Sequence, residues 1–435
     1  MKKFLIMIIS ITLISISVLC LQGFANTVTI TYLTPETDPT TVKVDNDIIK
    51  RFEEIHPDVK VNIQHANLED VLPKLATQLR AGTAPDVAFF SPRMVPGFIE
   101  QGFLLPLEDL FEDIGDIPRK FVTPTLDHKI YDIPIHVESQ VLYYRKDRFE
   151  KAGIKPPTTF DEYLKAAKAL TVDTDGDGKI DQYGVAILGG MPSNYFFFSA
   201  FLWANGADYF DENNNVVIDS PEAIETLEFF GKLAKFAPPG VVNARNTDLT
   251  MQFCNGLTTM VEFPGRLLTN IDRYNPELAS KIDIVPRPFG PLGNGRPNVH
   301  AFVNSFIVFS GTKYPEIAKE FIKFYMTGEQ YLEYLTASVP GHALPIRNSW
   351  IDNPEYFEFP AIKKHRDIIK KSMELAYKYG TDFQFRHDTV NPYLGEALSM
   401  PDLSENLNKF LVGDLTAEQA LKNVANAWRK RFGIK

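Results

Sequence analysis

Apolar and β-branched residues alternate along "TVTITYL" (27–33), the two-residue period of a strand with one buried face. The period then changes. In "DNDIIKRFEEIHPDVKVNIQ" the apolar positions fall on one side of a helix, Pro57 stops it, and "VKVNIQ" reads as a second strand. "LEDVLPKLATQLRAGTAPDVAFF" repeats the plan, with Gly82 as the breaker between a helix and the apolar strand "DVAFF". Strands alternating with helices long enough to cross over predict an α/β fold with a largely parallel sheet.

From about 160 to 235 helices dominate. "TFDEYLKAAKAL" opens with Thr159 or Asp161 as a cap, and "SPEAIETLEFFGKLAKF" opens with Ser220 followed by Pro221 in the first helical position. Strand-like runs return at "GLTTMVEF" (256–263), "KIDIVPRPF" (281–289) and "VNSFIVFS" (303–310). The last stretch, "TAEQALKNVANAWRKRFGIK", is amphipathic. It carries Arg429, Lys430 and Arg431 in its final turns, where they complement the negative end of the helix dipole. "KKHRDIIKK" (363–371) also has helical spacing and predicts a solvated helix face.

The N-terminus follows another logic. Lys2 and Lys3 precede eighteen uncharged residues, Phe4 to Leu21, and Gly23 and Ala25 stand at the small-x-small places of a cleavage site. That order of charge, apolar run and small residues predicts a secretory signal peptide over 1–25, with the mature chain starting at Asn26. An uncleaved anchor and a lipoprotein route through Cys20 are the alternatives. Beyond the signal about 410 of the 435 residues remain, more than one core usually serves, so two domains are expected. The net charge of −10 becomes −12 once Lys2 and Lys3 leave, which excludes a nucleic-acid binder built on phosphate neutralisation. Only Cys254 then remains, so no internal disulfide forms despite export.

One polar loop has its own chemistry. "DTDGDGKIDQYG" (173–184) matches an EF-hand loop at Asp173, Asp175 and Asp177, with Gly178 at the sharp turn, Lys179 offering a carbonyl and Asp181 at the ninth position. The twelfth position is Gly184, which lacks the bidentate carboxylate needed by a sensor. Four clustered carboxylates repel one another unless a cation neutralises them, so a structural Ca2+ is expected, with a metal-free turn as the alternative.

Several segments, taken in order, resemble the solute-binding proteins of carbohydrate ABC importers, the group that includes maltose-binding protein. They are "RFEEIHPDVKVNIQ" (51–64), "LATQLRAGTAPDVAFF" (75–90), "GFLLPLEDL" (102–110), "IYDIPIHVESQVLYYRKDRFEKAGIKPPTTFDEYLKAAKAL" (130–170), "GLTTMVEFPGR" (256–266) and "GTKYPEIAKEFIKFYMTGEQ" (311–330). The resemblance implies a two-lobed periplasmic binding protein fold with hinge crossings near 134–139, 300–306 and 344–349, and a ligand cleft between the lobes. It places one lobe at 26–137 plus 304–345 and the other at 138–303 plus 346–435. It also implies a periplasmic, monomeric protein whose partners are a carbohydrate ligand and the permease subunits of an ABC importer, with no nucleic acid. Some such proteins carry a single calcium loop completed from its tenth position, here Gln182.

A sugar presents hydroxyls and apolar C–H faces, so its site needs aromatic planes and charged or planar hydrogen-bonding groups. The resemblance singles out Glu138 at the first crossing and the aromatic segment "NYFFFSAFLWANG" (194–206), from which Tyr195 and then Trp203 are selected. In "VEFPGR" related chains often carry a Trp after the turn. Arg266 stands there instead, with a guanidinium able to fork onto a hydroxyl pair or a uronate carboxylate, or to pair with Glu262. Glu36, Ser91 and Arg93 are candidates from the first lobe, His300 and Asn304 flank the second crossing, and His342 and Arg347 flank the third. No catalytic residues are assigned. The competing readings are a secreted glycosidase or polysaccharide lyase, and the same fold serving a polyamine, metal chelate or glycerol phosphate.

Overall fold

A computed structural model describes residues 27–125, 127–382 and 390–434; the expected signal peptide lies outside the described residues. Among the described residues ten strands join in one sheet. In chain order they are β1 (Val28–Thr34), β2 (Val59–His65), β3 (Val87–Phe90), β4 (Ile133–Arg145), β5 (Tyr183–Ala186), β6 (Thr258–Phe263), β7 (Ile282–Val285), β8 (Val299–Val308), β9 (Leu344–Pro345) and β10 (Gly380–Thr381). The main path runs β2-β1-β3-β8-β4-β6-β5.

The sheet is mixed, not largely parallel. On the main path parallel pairs lie at the two ends, β2 with β1, β1 with β3 and β5 with β6, and off it the short β10 runs parallel to β8. The middle is antiparallel because β4 and β8 run against each other, from Ile133 opposite Phe306 to Gln140 opposite His300. At Gln140 β4 leaves β8. From Val141 to Arg145 it pairs instead with β6 and β7. β9 lies against β4 at Val137 and His136, so the three predicted crossing segments are hydrogen-bonded side by side.

β4 is the element that hydrophobic periodicity does not reveal. Its thirteen residues are almost uniformly buried, so it shows no alternation. Elsewhere the local signals hold. Thr159 and Ser220 cap the helices Phe160–Ala169 and Pro221–Ala234, and Gly82 closes the helix Leu68–Ala81 at φ 67°. The first long helix, Pro39–Ile55, starts earlier than its apolar period because Asp38 caps it through the Thr40 N–H, 2.9 Å away. In the basic stretch Lys370 pairs with Asp352 and Lys371 with Asp283, on an exposed helix face.

Packed aromatics hold each end of the sheet. Tyr32, Phe52, Phe306 and Phe321 meet at centroid distances of 5.3–5.8 Å on the β1–β3 side. On the β5–β7 side Phe160 stacks on Phe229 at 3.8 Å, and Phe201 packs against both. No helix among the described residues is long and apolar enough to cross a membrane.

Candidate functional site

Residues two apart on a strand share a face, so His136, Glu138 and Gln140 of β4 line up with Asn304, Phe302 and His300 of β8, their direct partners. This strip lies beside the point where β4 changes partners. Asn304 Nδ2 donates to Glu138 Oε1 at 2.9 Å and lies 2.9 Å from His136 Nε2, which is 3.3 Å from the same carboxylate oxygen. The Tyr334 hydroxyl contacts the other ring nitrogen of His136 at 2.6 Å. Tyr334 opens a π-helical turn, Tyr334–Ser338, a local widening that re-aims side chains and recurs at functional sites.

His342 reaches the second oxygen of Glu138 at 3.5 Å, and Arg266 reaches Glu36 at 3.8 Å. Gly265 makes this approach possible. A Cβ there would collide with the Gly341 carbonyl and sit 3.1 Å from the His342 Cα, so only glycine lets the turn after β6 close on that segment. Glu36 itself follows β1. Its N–H donates to Thr34 Oγ1 at 3.2 Å, and its carbonyl meets His65 Nδ1 at 2.6 Å.

The charges are unequal. Burial opposes ionisation of Glu138, but His342, His136 and Arg266 outweigh it and the carboxyl is held down at about 2. Burial pushes His342 down to about 3 against the pull of Glu138. At neutral pH the charge of this pair therefore sits on the carboxylate, beside a neutral imidazole. Glu36 is raised by burial in spite of Arg266. A narrow cavity adjoining it is walled by Tyr32, Phe89, Ile135, Tyr325 and Tyr334, with Asp45 among its lining. Asp45 accepts from the Tyr325 hydroxyl, and burial pushes its carboxyl up to about 7.

The aromatic component is Phe196. It lies 5.7 Å from Phe302 in an edge-on arrangement, stacks on Tyr195 at 4.3 Å, and receives the Arg93 guanidinium at 5.4 Å from its centroid. Arg93 follows β3 whereas Phe196 is on the helix Asn194–Ala204, so this contact joins the two ends of the sheet, as Glu36–Arg266 does. Nearby, Gly395 of the helix Leu394–Ser399 fits against Met94 and the Arg93 carbonyl. An added Cβ would strike Met94 Sδ and lie 2.9 Å from that oxygen.

The structure thus gathers Glu36, Glu138, Arg266, Asn304 and His342, with Arg93 beside Phe196. Other candidates are engaged elsewhere. Glu262 is fully buried and takes a hydrogen bond from Arg287 Nε at 2.6 Å, rather than meeting Arg266. Arg347 donates to the carbonyls of Met326 and Ile114, at 3.0 and 3.3 Å, where two helices end with unpaired acceptors. Trp203 is buried edge-on to His300 at 4.8 Å, its indole N–H directed to Asp208, and His300 is paired with Asp382 at 3.0 Å. Tyr195 is buried beside Phe196, which is the half-exposed member of the pair. Among the residues not selected from sequence, His136 carries a usable signal, since it precedes Glu138 by two in a strand. Tyr334, Phe196 and Asp45 carry none.

In the acidic loop the carboxylate oxygens of Asp173, Asp175 and Asp177 come within 4.8 Å of one another, the spacing of donors around one cation. Asp173 also accepts from the N–H groups of Gly176 and Gly178, and Asp177 from that of Lys179. Asp181 stands apart, bound to Thr174, and the Gln182 amide donates to the Leu170 carbonyl at 2.9 Å.

The model of the bacterial extracellular solute-binding protein family matches residues 38–331. The chain is similar to an arabinooligosaccharide-binding protein of Halalkalibacterium halodurans, 28% identical over 334 residues, covering 73% of this chain and 71% of that one. In structure it is similar to maltose-bound MalE3 of T. maritima, with a TM-score of 0.76, 24% identity, and coverage of 93% of this chain and 100% of that one. It is also similar to an ABC transporter solute-binding protein of Agrobacterium radiobacter K84 in complex with ribitol, with a TM-score of 0.77, 20% identity, and coverage of 94% and 100%. These likenesses establish the two-lobed periplasmic binding protein fold. Sheet topology, the strip of polar groups along the β4–β8 pair and the family match converge: the chain belongs to the bacterial extracellular solute-binding proteins.

Proposed function

We propose that this protein captures a di- or oligosaccharide between its lobes and delivers it to the permease of an ABC importer. The observation that carries the reading is the cluster of Glu36, Arg266, Glu138, Asn304 and His342 beside the Phe196–Phe302 surface. Carboxylate oxygens and a neutral imidazole take and give hydroxyl hydrogen bonds, and the rings cover C–H faces. The sugar and polyol partners of the relatives and neighbours support the same chemistry. The lobes are 26–137 plus 304–345 and 138–303 plus 346–435, a division supported by the switch of β4 at Gln140–Val141. Ligand contacts from both sides stabilise the closed form, which the transporter then distinguishes from the open one.

The protein is exported by the signal over 1–25 and acts as a monomer outside the cytoplasm. Its acidic loop holds a structural Ca2+ through Asp173, Asp175, Asp177 and the Lys179 carbonyl, with Asp181 and Gln182 completing the shell. The convergence of three carboxylates supports this assignment, and a water-mediated contact suits a ninth-position Asp that stands off.

Hydrolysis is the rival reading, because Glu36 is raised while Glu138 is lowered, the pattern of an acid–base pair. One experiment separates the two. Thermal shift of residues 26–435 against a panel of di- and oligosaccharides is expected to give a selective rise in melting temperature, with no product on prolonged incubation. A flat response to every sugar overturns the binding reading, and product formation replaces it with catalysis.

A further inference from the structure

The described residues include two buried arginines, and they are treated differently. Arg287, 1% exposed, has Glu262 as its counter-ion. Arg93, 8% exposed, has none: no Asp or Glu among the described residues pairs with it, its Nε is buried without a hydrogen-bond partner, and its guanidinium lies over the Phe196 ring. Two residues earlier the hydroxyl of Ser91 is also buried without a partner.

A buried cation without an anion is costly, and an aromatic face offsets only part of that cost. Arg266, the other guanidinium of the site, is engaged with Glu36, and the Glu138 carboxylate is covered by Asn304, His136 and His342. The remaining positive charge therefore stands at Arg93, over an aromatic ring and two residues along the chain from the unpartnered Ser91 hydroxyl.

We propose that Arg93 and the Ser91 hydroxyl bind a carboxylate on the saccharide, so that the ligand is a uronate-bearing sugar. This rests on the saccharide-binding reading above and narrows it. The planar fork of a guanidinium matches a carboxylate with two parallel hydrogen bonds, and the serine hydroxyl adds a third. A phosphate dianion is the poorer fit, since it calls for a second free cation where Arg266 is already paired.

The test is calorimetry on residues 26–435 with matched pairs: digalacturonate and its neutral methyl ester, glucuronate and glucose, with maltose and glucose 6-phosphate as further arms. The acid of at least one pair is expected to bind at least about ten-fold tighter than its neutral partner, because unpaired buried groups reject the analogue that lacks their match. Arg93→Gln is expected to bring that ratio close to one, and Arg93→Lys to keep part of it. Neutral sugars binding as well as or better than every acid overturns the uronate assignment and leaves the saccharide reading intact. Binding of glucose 6-phosphate with silent uronates overturns the carboxylate. Silence across all arms removes the saccharide reading itself. Where Arg93→Gln fails to fold, the acid-to-ester ratio of the wild type and its loss in high salt decide.

Discussion

Arg266 and Glu36 meet at 3.8 Å although one follows β6 and the other follows β1, strands separated in the sheet by β3, β8 and β4. The same gap is spanned by Arg93 on Phe196 and by Gly395 on Met94. Three contacts of different chemistry thus tie the two ends of the sheet together around Glu138.

Glu138→Ala removes the acceptor on which Asn304, His136 and His342 converge. It is expected to weaken sugar binding by about 1–3 kcal/mol, the order for a hydrogen bond to a charged group. Unchanged affinity in isothermal calorimetry takes Glu138 out of the site.

Gly395→Ala puts a methyl where Met94 and the Arg93 carbonyl already sit. Overpacking of this kind costs about 1–3 kcal/mol. Here the cost falls on the closed arrangement, so ligand affinity drops while the melting temperature of the unliganded protein changes little. Small-angle scattering that shows equal compaction of the variant and wild type with ligand would contradict it.

Arg287→Ala leaves Glu262 buried without its counter-ion. Breaking such a pair costs about 3–5 kcal/mol, a loss to be read in the denaturant midpoint. Affinity per folded molecule is expected to hold, which marks Glu262 as a structural residue of the β6–β7 side. A selective loss of affinity at unchanged stability would return it to the site.

Asp45 sets a pH dependence. In the unfolded chain it ionises near 3.8, whereas burial raises it to about 7 in the fold. Between those values the folded state keeps a proton that the unfolded state has lost, so this group lowers stability as pH rises across the window. Asp45→Asn is therefore expected to be more stable than wild type at pH 8, by a few kcal/mol at about 1.4 per pKa unit, and to match it near pH 4. Parallel melting curves for the two proteins from pH 4 to 8 would refute the assignment.

Asp175→Ala is expected to lower the melting temperature in calcium and to abolish its dependence on a chelator, with ligand affinity largely spared. An unshifted melting temperature leaves the loop as a turn held by its own Asp-to-backbone hydrogen bonds.

The alternation of strand and helix was legible because Val28–Thr34, Val59–His65 and the helices between them each bury one face, and burial on one face is what periodicity records. β4 was not, because burial on both faces erases the period. The same limit explains the aromatic segment. The helix Asn194–Ala204 is buried nearly all round, so nothing in its spacing selects Phe196 over Tyr195 or Trp203. The role of Arg347 was hidden for another reason. The helix ends it caps, at Ile114 and Met326, are remote in sequence, and no local pattern announces them. Glu138 and Asn304 entered through family resemblance, and their partnership follows from a strand register that composition does not contain.

β4 gives its hydrogen bonds to β8 up to Gln140 and to β6 and β7 from Val141 onward, without a break in the strand. A joint of this kind works by torsion, not by slack. A turn about it would twist a ribbon whose pairing persists on either side, so it would release little chain entropy. Glu138 lies two residues from that pivot. A ligand held there would act at the root of a long arm, where a small turn of the strand becomes a large displacement at either end of the sheet.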